Sequence, residues 1–174
     1  MSKRLTSRRA SILLAVLVIL TGCSSDEVVA PRSAEEMFQS GMKLFAEEDY
    51  LEAKEEFRIV TLQYQGSALA DDAQFYLGEC YFKREEFILA AYEFEILLRT
   101  MPTSEFVPNA RFQRALCYYN RSPESYLDQE STRKAIDEFQ AFLEYHPTDP
   151  RAPEAEVKIH EMNTKLARKD YENG

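Results

Sequence analysis

Asp71–Ser104, which reads DDAQFYLGECYFKREEFILAAYEFEILLRTMPTS, is the stretch that decides the fold. Within it Ala90, Phe94 and Leu97 stand at i, i+4 and i+7, one face of a helix. Gly78 marks an earlier helical run, and Pro102 follows the later one and stops it. Outward from this stretch the same marks return. Gly41, Gly78 and Ala115 are 37 residues apart, twice. Ala53, Ala90 and Ala135 recur at intervals of 37 and then 45, as do Phe57, Phe94 and Phe139, and Val60, Leu97 and Phe142. The longer interval is one insertion between Tyr119 and Ala135. A period of this size is the sequence sign of a stacked supersecondary unit.

Each unit reads as two helices. Pro108 and Pro153 suit a first helical turn, where no amide partner is lost, and Pro147 lies past the end of a second helix, as Pro102 does. The small residues at 41, 78 and 115 let two helix backbones approach, with Ala53, Ala90 and Ala135 expected opposite them. One helix pair cannot bury its apolar face alone, so pairs must stack. The expectation is an all-α solenoid of antiparallel helix pairs over 34–174, with repeats at about 34–67, 71–104 and 108–149 and a terminal helix at 153–169.

The chain has 174 residues, 45% apolar and 29% charged, which argues against disorder and leaves room for one domain or a short repeat array. A formal charge of −9 speaks against nucleic acid as the partner, because such binding neutralises phosphates with Lys and Arg. The 5 glycines are scattered, which excludes a glycine-rich phosphate loop or dinucleotide fingerprint.

Residues 1–22 read as a signal peptide. Lys3, Arg4, Arg8 and Arg9 form a basic start, and Ile12–Leu20 is an apolar run too short for a permanent span. Leu20-Thr21-Gly22-Cys23 then resembles the lipobox of bacterial lipoproteins, in which the Cys is lipidated. By that resemblance Cys23 is the anchor, Ser24 after it implies outer-membrane sorting, and 23–33 is a tether of roughly 30 Å at full extension. Cleavage would leave 17 basic and 30 acidic residues, a net of −13, so attachment to a membrane would rest on the lipid and not on the protein surface.

The repeats resemble the tetratricopeptide pattern: a small residue, Leu44, Tyr81 or Tyr118 three later, then the Ala, Phe and Pro positions above. The narrower resemblance is to the family of the D subunit of the bacterial β-barrel assembly machinery, also grouped with competence lipoproteins. It is carried by the lipobox, a first repeat almost directly after it, and the expanded third repeat with Tyr126–Ile136, Phe139, Phe142 and Tyr145-His146-Pro147. The resemblance implies an outer-membrane lipoprotein whose partners are other assembly subunits and unfolded outer-membrane proteins. That family usually has five repeats, and its later ones help contact the barrel-bearing partner. Here Gly174 is reached after three repeats and one helix, as in a truncated form or one without the last repeats, so that contact is not assumed for these residues.

Two aromatic rows keep the 37-residue period: Phe38, Phe75 and Phe112, and Phe45, Phe82 and Tyr119. By resemblance to the repeat class they face the concave surface, with Glu79, Lys83 and Asn120 as polar neighbours. One reading makes them a peptide-binding groove for aromatic-ending terminal strands of unfolded outer-membrane proteins. The other has the rings pack neighbouring first helices together. The readings are not exclusive.

Chemistry-bearing clusters are not found in the sequence. His160-Glu161 begins like a zinc-protease helix, but Thr164 stands where the second ligand belongs, so no metal or cofactor is expected. Cys80 and Cys117 occupy equivalent slots; they read as two small buried hydrophobes, or as a disulfide if such slots, commonly ~10 Å apart, come within reach. The expected function is binding and scaffolding without catalysis, with a periplasmic adaptor for division or peptidoglycan coordination as the rival.

Overall fold

The computed structural model describes residues 31–173. The signal-peptide reading of 1–22, Cys23 and most of the tether lie outside the described residues. Seven helices follow in order: α1 (Ala34–Ala46), α2 (Tyr50–Gln63), α3 (Ala70–Lys83), α4 (Phe87–Thr100), α5 (Val107–Asn120), α6 (Glu130–Tyr145) and α7 (Ala152–Asn173). No strand occurs among the described residues. Each helix packs principally against its neighbours in sequence, α1 on α2, α2 on α3 and so on to α7. Short connections between packed helices make neighbours antiparallel, and the result is the tetratricopeptide-like solenoid that the period predicts.

The chain turns where local chemistry tells it to. Ser33 opens α1 with a capping box: its hydroxyl accepts from the Glu36 N–H at 3.2 Å, and the Glu36 carboxylate accepts from the Ser33 N–H at 2.8 Å. Within the first two pairs one turn is used twice. The Glu48 and Asp49 N–H groups donate to the carbonyls of Phe45 and Leu44, and those of Glu85 and Glu86 to Phe82 and Tyr81. This is a Schellman closure, and it holds Glu48 at φ 64° and Glu85 at φ 60°. Between units, Ser67, Ser104 and Asp149 each accept from the N–H two residues on.

The small slots at 41 and 78 work as close-approach points, and the nearest group facing each is a phenylalanine rather than the expected alanine. A Cβ built on Gly41 would fall 2.8 Å from Phe57 Cε1, and one on Gly78 would fall 2.6 Å from Phe94 Cε1. The glycines make room for the second-helix phenylalanine of their own unit. Phe57, Phe94, Phe139 and the alanines at 53, 90 and 135 are fully buried. Cys80 and Cys117 are free, buried thiols, and burial pushes Cys80 up to about 12, which suits small hydrophobes.

The insertion is an ordered polar knot. Gln129 is wholly buried and its amide donates to the carbonyls of Glu124, Leu127 and Ser125 at 2.7, 3.0 and 3.3 Å. Thr132 donates to the Gln129 oxygen at 2.6 Å. From α7, Lys165 reaches Ser122 Oγ at 2.8 Å and Lys169 reaches the Leu127 carbonyl at 2.6 Å. The loop is thereby tied to the terminal helix.

Candidate binding groove

Phe38, Phe75 and Phe112 do not line a groove. They are 7%, 9% and 4% exposed and belong to the core. Two contacts close over each ring. From its own unit comes the second-helix ring: Phe38–Phe57, Phe75–Phe94 and Phe112–Phe139 lie 5.6, 5.7 and 5.7 Å apart. From the following unit, Tyr76 meets Phe38 edge-on at 6.1 Å, Phe106 stacks on Phe75 at 4.6 Å, and Arg151 lies over Phe112 at 4.9 Å. Residues 106 and 151 each stand just before a first helix, so for Phe75 and Phe112 the same position of the next unit covers the ring. The packing reading of this row holds.

The second row differs. Phe45, Phe82 and Tyr119 are half-buried. Phe45 leans edge-on against Tyr50 and Tyr76. Tyr119 is engaged by α7: its hydroxyl donates to Glu161 at 2.6 Å, and the Lys158 ammonium sits 4.1 Å above its ring. Phe82 retains open surface. With Lys83, Glu85, Phe87 and Asn120 it lines a surface pocket of about 440 Å³, and Phe82 meets Phe87 edge-on at 5.4 Å. Lys83 is exposed and forms no ion pair among the described residues. An apolar ring with an ammonium and an amide beside it suits an aromatic group that carries a carboxylate.

Glu79 is not a groove residue in the ordinary sense. It is 8% exposed and bridges two units by accepting from Gln113 Nε2 at 2.6 Å. Burial raises its carboxyl to about 7, opposed by the Gln113 hydrogen bond and the Lys83 charge. Gln113 Oε1, the other end of that amide, is buried without a partner.

Tyr76 is the residue the pattern hides. Its ring touches Phe38, Phe45, Phe57, Phe75 and Phe106, with centroids 5.5 to 6.2 Å away, so it joins the first two units. Gln39 and Gln113 fill the equivalent positions, and no periodic signal points to it. Among the described residues no group of His, Cys, Asp and Glu could hold a metal ion, and no helix is long and apolar enough to cross a membrane.

Residues 31–173 match the model of the family described as YfiO, outer membrane lipoprotein. No curated protein matches the chain.

Proposed function

Since the chain belongs to the YfiO family of outer membrane lipoproteins, we propose that it is a scaffold of the β-barrel assembly machinery that binds unfolded outer-membrane proteins, partner subunits or both. In this reading lipidated Cys23 holds the helical body at the periplasmic face of the outer membrane. Tethering raises the local concentration of clients near the assembly machine, and the work is binding, not catalysis. The observation that carries the reading is the Phe82 pocket. It offers an aromatic floor between two units, with Lys83, Asn120 and the acidic Glu85 at its rim, of which the first two suit a carboxylate. An extended client that ends in an aromatic residue presents a ring and a terminal carboxylate together, which matches that pairing of groups.

The test uses a fluorescent peptide of that kind and the full chain. Phe82→Ser should weaken its binding about fivefold or more, the effect of removing a contact worth about 1 kcal/mol. Circular dichroism of the variant confirms that it is folded. Unchanged affinity in folded Phe82→Ser removes the pocket from the mechanism. Recovery of division or peptidoglycan proteins, in place of barrel-assembly subunits, from detergent extracts would favour the adaptor reading.

A further inference from the structure

One carboxylate position is repeated through the three units and is answered differently in each. In the first, Glu56 takes a bidentate Arg32 at 2.9 and 3.0 Å and a hydroxyl from Ser40. In the second, Glu93 takes the Gln74 amide at 2.8 Å. In the third, Glu138 takes Arg114 at 2.9 and 2.5 Å. The position that holds Gln74 in the second unit holds Arg111 in the third, and Arg114 has already claimed its acid.

Arg111 is therefore a surplus cation. Among the described residues it has no ion pair and no hydrogen bond, and its Nε is buried without an acceptor. Its guanidinium lies 4.2 Å from the Tyr145 ring centroid, and Glu138 attracts it only from beyond ion-pair distance. Arg151 cannot share an acid with it, because Asp149 is closed on Arg151 by bonds of 2.8 and 2.7 Å. Three guanidiniums thus stand against two carboxylates at this end of the third unit. The neighbouring His146 ring, packed on Phe142, adds no negative charge.

We propose that Arg111, held over the Tyr145 ring, is a receptor for a carboxylate side chain of a protein partner. The chemistry selects a carboxylate because a guanidinium presents its donors as a planar fork that matches the two oxygens of an acid. The contact with Tyr145 restrains the guanidinium before the ligand arrives, which lowers the ordering cost of binding. A protein is the better source than a free anion. One part-buried guanidinium holds a small ion weakly beside water, whereas Tyr145 is 63% exposed and supplies an aromatic shelf beside the charge. This site uses neither the Phe82 pocket nor the anchor and stands apart from the client-binding reading.

The test follows arginine side-chain Nε–H signals in the ¹⁵N-labelled full chain during titration with acetyl-Glu-Tyr-amide and, separately, acetyl-Gln-Tyr-amide. The acid probe should shift the Arg111 signal saturably and bind about tenfold or more tighter than the amide probe, the ordinary worth of a charge-assisted hydrogen bond. Arg111→Gln, which restores the residue found at position 74, should abolish that preference. Arg111→Lys, which keeps the charge but lacks the fork, should reduce it and serves if the glutamine variant does not fold. Equal binding of both probes to the wild-type chain, a preference that survives in the folded variants, or a response confined to other arginines overturns the assignment.

Discussion

Glu79→Gln should make the protein more stable at pH 8 and leave it nearly unchanged near pH 4.5. The native carboxyl titrates at about 7, raised from an ordinary value of 4.5 by burial between α3 and α5. Between those two values the native state keeps a proton that the unfolded chain gives up. The native state therefore binds more protons, and stability falls as pH rises through the window. Below 4.5 the contribution is whole, and above 7 it is gone. The difference corresponds to about 3 kcal/mol at about 1.4 kcal/mol per pKa unit. Glutamine removes the charge, keeps an oxygen for Gln113 Nε2, and adds an N–H that can reach the buried, unpartnered Gln113 Oε1. Urea unfolding followed by far-UV circular dichroism at pH 5, 6, 7 and 8, at fixed ionic strength, measures both proteins. Only the difference between them is read, so other titrating groups cancel. Among these are Glu93, raised by burial, and His146, held low by burial and Arg111. A difference that does not grow between pH 5 and pH 8 refutes the reasoning.

Gly78→Ala should destabilise by a net of about 1–2 kcal/mol. The added methyl meets the fully buried Phe94 ring, and overpacking outweighs the gain in helix propensity. Gly66→Ala, with nothing within 4 Å, should be neutral or stabilising by about 0.5 kcal/mol; a stabilising Gly78→Ala in the same urea titrations would show that the ring moves freely. Gln129→Ala should cost about 2 kcal/mol or more by removing a wholly buried amide that donates to three carbonyls and accepts from Thr132, and should open the insertion near Tyr126 to limited proteolysis. Protease resistance equal to wild type would mean that Lys165 and Lys169 suffice to hold the loop.

The solenoid was legible because its constraints repeat. Gly41 and Gly78 must be small, Phe57 and Phe94 must fill the gap they leave, and 37-residue spacing exposes both demands in one sequence. What faces a glycine is harder to read: the alanines at 53, 90 and 135 share the helix face with the phenylalanines, and only distances distinguish them. The buried row failed for a related reason. Whether Phe75 is open depends on what the next unit lays over it, and that position is Phe106 in one unit and Arg151 in the next. A ring and a guanidinium cover equally well but share no letter. Tyr76 and Arg111 were missed because each acts by departing from its equivalents, and a search for periodicity passes over departures.

Helices that touch chiefly their sequence neighbours leave little for distant parts of the chain to negotiate. The search for native contacts is short-range, so loop-closure entropy stays low and folding should be fast for a chain of this length. A polypeptide delivered N-terminus first can close α1 on α2 while α6 has yet to emerge, with each completed hairpin offering a template to the next. Cooperativity then spreads along a line, and an injury in one hairpin fades with the number of hairpins between it and the site that matters.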